Sequence, residues 1–145
     1  MSAIATFTKL PVHALGDLEK NYASCLEKQG SEVAEYAWSG WVLNTVLVYL
    51  EEQGIDLTDQ YKELSDAIYE STESSAIILT QLHKDTFLSR LGEGNFSLEA
   101  LRDYYNEFNE CSEAGAGQPM LDAISCLRQS LEALDAESVI VLGIG

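Results

Sequence analysis

Apolar residues recur every three or four positions through most of the chain, and this spacing constrains the fold more than any other feature. Because an α-helix turns by about 100° per residue, the repeat places apolar side chains on one helix face. Caps, glycines or prolines bound six such stretches: residues 11–30, 41–53, 56–70, 82–91, 98–111 and 119–135. The sequence therefore predicts about six amphipathic helices.

Two other runs are β-favouring and bounded by polar residues, 76–80 and 138–145, and residues 4–8 are a candidate third strand. Strands need partners for their backbone hydrogen bonds, so we expect a small two- or three-stranded sheet packed on the helices. Residues 32–37 fit either a short helix or a loop. The predicted class is mainly α, of the α+β kind, in one helical domain spanning residues 1–145, since no repeat or long linker divides the chain.

The charge is strongly negative. Twenty-four Asp and Glu against eight Lys and Arg give a net charge of -16. Such a field repels phosphate backbones and anionic lipid and attracts cationic surfaces. We therefore expect no nucleic-acid partner and no membrane partner, and a basic protein is the favoured one. The alternative is that the charge only confers solubility.

The cysteines and the chain start indicate the compartment. Cys25, Cys111 and Cys126 are odd in number and far apart, which argues against a disulfide framework and a zinc site. The first residues lack a basic stretch followed by an apolar one, and no apolar run is long enough to span a bilayer. We expect reduced thiols, a cytoplasmic location and no cofactor or metal.

Acidic side chains form a stripe on two predicted helices, opposite the apolar face. The stripe residues are Asp59, Glu63, Asp66 and Glu70 on the third helix, and Glu99, Asp103, Glu107 and Glu110 on the fifth. Glu73 and Glu113 would extend the two stripes if the helices continue that far. Neighbouring carboxylates at these spacings repel by roughly 0.2 to 0.5 kcal/mol per pair, so a helix surface selected only for stability would alternate them with lysine. Tyr104 borders the second stripe and suits contact with a cation. The stripes predict a docking face, although helix exteriors in so acidic a chain are often acidic for no further reason.

Catalytic patterns are absent from the sequence. It has no Gly-x-Ser-x-Gly elbow, no His-Glu-x-x-His, no phosphate loop, and no Glu-x-x-His of a di-iron bundle. His13, His83 and the three thiols could meet in the fold, but structural roles are favoured for each. Tyr36, Trp38 and Trp41 cluster around Ser39–Gly40, where core packing is favoured over a surface anchor.

The leading hypothesis is a small acidic binding protein, not an enzyme, whose stripes capture a basic protein. Its most concrete form is an inhibitor of the immunity or antitoxin kind, with carboxylates in the cationic groove of a toxin. It requires that the two helix faces not point in unrelated directions, each neutralised by its own cations. The rivals are an enzyme with a nonlocal Cys/His site and a subunit of a homo-oligomer; the oligomeric state is not predicted.

Overall fold

In the computed structural model, which describes residues 3–145, a sheet lies between two layers of helices. The strands are β1 (Ala5–Pro11), β2 (Ser31–Glu35), β3 (Ser75–Leu79) and β4 (Ser138–Ile144). The helices are α1 (Leu15–Lys20), α2 (Tyr22–Gln29), α3 (Trp41–Glu52), α4 (Lys62–Thr72), α5 (Gln81–Phe87), α6 (Leu98–Asn109) and α7 (Gly117–Glu132). The α+β class is confirmed, but the described residues form seven helices and four strands, not about six and two or three.

The sheet is antiparallel throughout, in the order β2-β1-β4-β3. Every residue of β4 is buried, which explains its uninterrupted apolar sequence. Because side chains alternate along a strand, Ile140 and Leu142 enter one core while Val139 and Val141 enter the other.

The two cores define the two layers. The first core is built against β4 by α3, α6 and α7. The second core is built by α1, α2 and α4, through Leu18, Cys25 and Ile68. Helices α4 and α6 therefore lie on opposite sides of the sheet.

The predicted helix over residues 11–30 is wrong at its start and broken in its middle. Pro11 ends strand β1 opposite Ser138, a position that a residue without an N–H tolerates. A 3₁₀ turn over Val12–Ala14 follows, and Asn21, with φ -144°, separates α1 from α2. The helical spacing of apolar residues continues across this break, so periodicity could not reveal it.

Residues 31–35 form strand β2, which corrects the expectation of a helix or loop over 32–37. Val33 and Ala34 pack against the first core, while Glu32 and Glu35 are exposed. Pairing with β1 is irregular between Phe7 and Thr8. Two glutamates and a bulge suit an edge strand, because charge and twist discourage further pairing there.

Helix α4 begins at Lys62, later than predicted. Asp56 Oδ1 accepts from the Thr58 N–H (2.9 Å), a local turn that competes with a helix. The segment between α3 and α4 instead crosses from one layer to the other, because Leu57 is buried in the first core and Leu64 packs on the second. Leu57 and Leu64 are seven residues apart, a helical spacing, but they belong to different cores, so this spacing does not mark a helix here.

The remaining predicted elements differ mainly at their ends. Helix α5 gives way to a 3₁₀ turn at Leu88–Arg90, and α6 stops at Asn109 because Glu110 adopts a left-handed conformation (φ 53°). Ser97 caps α6 as predicted, its Oγ accepting from the Ala100 N–H (3.3 Å). Leu98 and Phe108 occupy apolar positions of the predicted helix over 98–111, which places them on its inward face, but they are 48% and 47% exposed. Over residues 3–145, no helix has the length and apolarity that crossing a membrane would require.

Candidate functional site

The two acidic stripes form separate surfaces. Glu63, Asp66 and Glu70 lie on the outside of α4, whereas Asp103 and Glu107 lie on the outside of α6, across the sheet. Glu99 and Glu110 are likewise exposed, at the first turn of α6 and just after its end. The two stripes therefore point in different directions, and one rigid partner surface could not contact both.

Asp59 does not belong to the α4 stripe, because it precedes the helix. Its Oδ1 lies 2.7 Å from Nε2 of His83, whose ring is buried. His83 Nδ1 accepts from the Thr80 backbone N–H (3.0 Å), so the imidazole carries its proton on Nε2 and donates it to Asp59. Partial burial raises the pKa of the Asp59 carboxyl, but the interactions with His83 outweigh it and hold that pKa below its ordinary value. The pair ties the segment between α3 and α4 to the first turn of α5.

This histidine and carboxylate are arranged for structure. Both ring nitrogens are occupied, so neither is available to exchange a proton with a substrate. The hollow beside Asp59 is lined by Tyr61, Lys62 and Glu63 but not by His83.

The two buried thiols, Cys25 and Cys126, are also in structural positions. Cys25 Sγ donates to the Ala14 carbonyl (3.7 Å), and Cys126 Sγ donates to the Glu35 carbonyl (3.4 Å). Burial raises the pKa of Cys126 to about 11 and also raises the pKa of Cys25. A raised pKa reduces the thiolate fraction, which is opposite to what a nucleophile needs.

On α6, the acidic stripe has one neighbouring cation. Arg102 Nη2 lies 2.9 Å from Asp103 Oδ1 and 3.9 Å from Glu99 Oε1, so this guanidinium is already engaged. Among the residues that the structure describes, Glu107 and Glu110 take part in no ion pair. The second half of the stripe keeps its charge uncompensated.

Tyr104 links α6 to α3. Its hydroxyl donates to Glu52, and burial together with this carboxylate raises the pKa of Tyr104 to about 12. The ring lies edge-on to Tyr49 (4.9 Å between centroids) and is stacked with Phe108 (5.9 Å). The ring of Tyr104 thus supports the exposed ring of Phe108, although its hydroxyl is engaged within the chain.

Two tryptophans expected in the core are at the surface. Trp38 is 47% exposed and Trp41 is 52% exposed. Between them, Gly40 donates its N–H to the Ala3 carbonyl (2.8 Å), and a Cβ there would lie 3.0 Å from the Ala5 nitrogen. The close approach of the turn to the start of β1 leaves the indoles on either side outside the core.

A groove of about 390 Å³ lies beside Trp38. Its walls are Trp38, Ser39, Val42, Tyr105, Glu113, Gly115, Ala116 and Pro119. The Tyr36 hydroxyl donates to the Pro119 carbonyl (2.8 Å), which joins the loop of residues 36–40 to α7. Outside the groove lining, Asn109 Nδ2 donates to Thr45 Oγ1 (3.3 Å) and joins α6 to α3.

The sequence around this groove is depleted of cations. Residues 29–61 contain six Asp or Glu and no Lys or Arg, and residues 103–127 contain five Asp or Glu and no Lys or Arg. Two of the cations elsewhere bind helix carboxyl ends: Lys84 donates to the Leu134 carbonyl (2.7 Å) and Arg90 to the Gln53 carbonyl (2.6 Å). Glu113 lines the groove with Trp38, Phe108 is stacked on Tyr104, and Asn109, between Phe108 and Glu110, bonds to Thr45, one helical turn after Trp41. From these links we define the acidic aromatic face as Trp38, Trp41, Tyr104, Glu107, Phe108, Glu110 and Glu113.

Comparison of the chain with protein-family models, curated proteins and solved structures finds no match. Within residues 3–145, no three His, Cys, Asp or Glu side chains are grouped so that they could hold a metal ion. Trp38, Trp41 and Phe108 were not among the predicted contact residues, and Glu113 was only a possible last member of the second stripe. The long stretches without Lys or Arg were the sequence signal that could have indicated them.

Proposed function

We propose that the protein binds a basic protein partner through the acidic aromatic face. The observation that carries the proposal is that three half-exposed aromatic side chains, Trp38, Trp41 and Phe108, lie on a surface whose nearby cation, Arg102, is engaged by Asp103. Exposed aromatic anchors supply much of the binding energy of interfaces, and complementary charge supplies orientation and association rate.

The two kinds of residue would contribute differently. Glu107 and Glu110 have no cationic partner of their own and would attract the basic partner over distances comparable to the Debye length, about 8 to 10 Å in physiological salt. Trp41 and Phe108 would be desolvated on contact and would slow dissociation.

The α4 stripe is a weaker candidate for this role. Tyr61 and Tyr69 are exposed there, but Lys62 lies beside the stripe, and the same helix layer carries Lys20 and Lys28. Asp59 serves the fold through His83. We therefore assign the proposed contacts to the α6 side and leave Glu63, Asp66 and Glu70 as a separate acidic surface.

The specific form we favour is an inhibitor of the immunity or antitoxin kind, acting by binding and not by catalysis. Carboxylates at fixed positions can occupy a cationic groove that would otherwise receive phosphates. What supports this form is the combination of unpaired carboxylates with aromatic anchors on one face.

The test compares matched charge reversals on the two sides of the sheet. The partner is isolated with the wild-type chain, purified and identified, and its association is followed at several ionic strengths. We expect the double variant Glu107→Lys, Glu110→Lys to lower the association rate by at least about tenfold at low salt and to weaken its salt dependence. Glu63→Lys with Glu70→Lys makes the same net charge change on the other side, and we expect a change within about twofold. The opposite pattern would refute the assignment.

The inhibitor form has its own test. A candidate partner that is toxic when expressed alone should be harmless when it is co-expressed with the wild-type chain. Protection should fail with Trp41→Ala combined with Phe108→Ser, because loss of the anchors speeds dissociation. A purified partner without toxicity would leave binding in place and remove the inhibitor role.

A further inference from the structure

We infer that the groove beside Trp38 is a socket for an arginine side chain of the basic partner. The inference rests on the proposed function and makes it more specific, because it names the group that is recognised. It depends on three properties of the groove: apolar walls, a fixed aromatic ring, and a carboxylate whose backbone is fixed.

The apolar walls suit the stem of a long cationic side chain. Val42, Tyr105 and Pro119 line the groove, and Gly115 and Ala116 leave it open on the α7 side. Its volume of about 390 Å³ is within the range of sites for small ligands. Arginine and lysine bury their methylene stems along such surfaces while the charged end stays polar.

The ring of Trp38 is held in place. Its Nε1 donates to Asp122 Oδ2 (2.7 Å), while Asp122 Oδ1 accepts from Gln118 Nε2 (2.7 Å). With its N–H engaged and about half of the residue exposed, the indole can present a ring face without reorganising. Tryptophan is the best aromatic partner for a cation.

The carboxylate of Glu113 completes the site. The Asn106 side chain fixes the backbone of this residue from both sides, since its Oδ1 accepts from the Glu113 N–H (2.9 Å) and its Nδ2 donates to the Glu113 carbonyl (3.1 Å). No Lys or Arg is among the described residues that line the groove. Arg102 lines a neighbouring hollow across Gly115 and is held at 2.9 Å by Asp103.

This combination favours arginine over lysine. A guanidinium is planar and weakly hydrated, so it can stack on an indole and bind a carboxylate through its edge at the same time. An ammonium is compact and strongly hydrated, and it gains less from an aromatic wall.

The test uses three peptides of one length, glycine–serine chains carrying three arginines, three lysines or three neutral citrullines. Binding to the full chain is measured by isothermal titration calorimetry at low ionic strength. We expect the arginine peptide to bind at least about threefold more tightly than the lysine peptide, and the citrulline peptide to bind least. Equal affinities for the arginine and lysine peptides, or no binding of the arginine peptide, would overturn the inference.

The matched variants are Glu113→Gln in the groove and Glu70→Gln on α4, which change the net charge equally. Glu113→Gln should weaken binding of the arginine peptide by at least about fivefold, and Glu70→Gln should weaken it by less than about twofold. Equal weakening would show that the peptide senses only net charge and would overturn the socket. Circular dichroism checks that both variants fold. We expect them to, because the side chains of Glu70 and Glu113 are exposed and Glu113→Gln keeps the two backbone bonds to Asn106.

The same peptide separates this inference from the proposed function. If Glu107→Lys with Glu110→Lys weakens binding but Glu113→Gln does not, the wider face is supported and the socket is refuted. If Glu113→Gln alone weakens binding, the socket is supported and the role of the α6 stripe is refuted. If neither variant affects binding, both proposals are wrong.

Discussion

Helices α4 and α6 carry the same pattern of outward acids at spacings of three and four, yet they lie in different surroundings. The α6 side adds half-exposed aromatic residues and a groove, and its cation is engaged within the stripe. The α4 side has three lysines in its layer, and Asp59, which continues its spacing, is bound to His83. A charge period therefore identifies an outward face, but the neighbouring elements decide what else that face carries. Within residues 3–145, Glu63, Asp66 and Glu70 take part in no ion pair either, so the aromatic residues and the groove, and not the unpaired charge, distinguish the α6 side.

The largest change in stability should come from His83, whose bond to Asp59 distinguishes that carboxylate from the rest of the α4 side. We expect His83→Ala to lower the free energy of unfolding by about 3 kcal/mol, because it leaves a cavity and removes the partners of Asp59 and the Thr80 N–H. Urea unfolding measures the change. The exposed His13→Ala should cost less than about 0.5 kcal/mol, and a similar small loss for His83→Ala would show that Asp59 is not tied to the fold.

The α6 side should be sensitive at its contact with α7. A Cβ on Gly117 would lie 2.4 Å from the Leu98 carbonyl oxygen, so Gly117→Ala should cost about 2 kcal/mol. Gly16, within α1, has open space around it, and Gly16→Ala should instead stabilise by about 0.5 kcal/mol. Thermal unfolding of both variants checks the contrast. No loss for Gly117→Ala would mean that α6 and α7 are not rigidly joined at this contact.

Lowering the pH should remove the contribution of Asp59 to the free energy of unfolding. The pKa of Asp59 is lowered in the folded state, so its contribution is complete above the unfolded pKa of about 3.9 and is lost as the pH falls through the lower folded pKa. Because this side chain is 43% exposed, solvent screening should limit the cost of Asp59→Asn to less than about 1 kcal/mol at pH 7.

Urea unfolding from pH 7 down to about pH 3 measures this difference. The gap between wild type and Asp59→Asn should narrow toward the acid end, as the pH falls below the unfolded pKa and approaches the lower folded one. Glu63→Gln, which removes one exposed carboxylate charge, is the control for the change in net charge. A gap that does not narrow would mean that the charge of Asp59 does not stabilise the fold.

The smallest expected changes in stability come from single charge reversals in the two stripes. Glu107 lies between Asp103 and Glu110, so Glu107→Lys should replace repulsion by attraction and stabilise the chain by about 0.5 kcal/mol. Asp66→Lys brings a lysine beside Lys62 as well as Glu63 and Glu70, and its effect should be within about 0.3 kcal/mol of zero. Denaturant midpoints at low salt measure both. Equal gains would show that the two stripes have the same electrostatic surroundings.

The elements that could be predicted are those whose own residue pattern matches the burial they have in the fold. Strand β4 was identified because its burial on both faces requires a continuous apolar run. Strand β2 was missed because its conformation depends on pairing with β1, not on its own composition of small and acidic residues. Pro11 was assigned to a helix because its preference for a first helical turn and its tolerance at a strand end are indistinguishable without the partner Ser138.

The candidate site was predictable in its charge and not in its geometry. The outward positions of Glu107 and Asp103 follow from helical phase, but the layer in which each helix lies does not. Trp38 and Trp41 were expected in the core because large aromatic residues usually are, and the close approach of Gly40 to β1 overrides that preference. The stripe spacing reached Glu113, but this residue lies beyond the end of α6, and its backbone is held by two bonds to Asn106 that no local pattern indicates.

The positions of Trp38 and Trp41 have a spectroscopic consequence. They are the two tryptophans of the chain, and both lie on the acidic aromatic face, so indole emission reports on that face and not on either core. Native emission should already be shifted toward long wavelengths, with only a modest further shift on unfolding. A ligand that covers the face should move the emission toward the blue, which makes the wild-type chain its own optical sensor of occupancy.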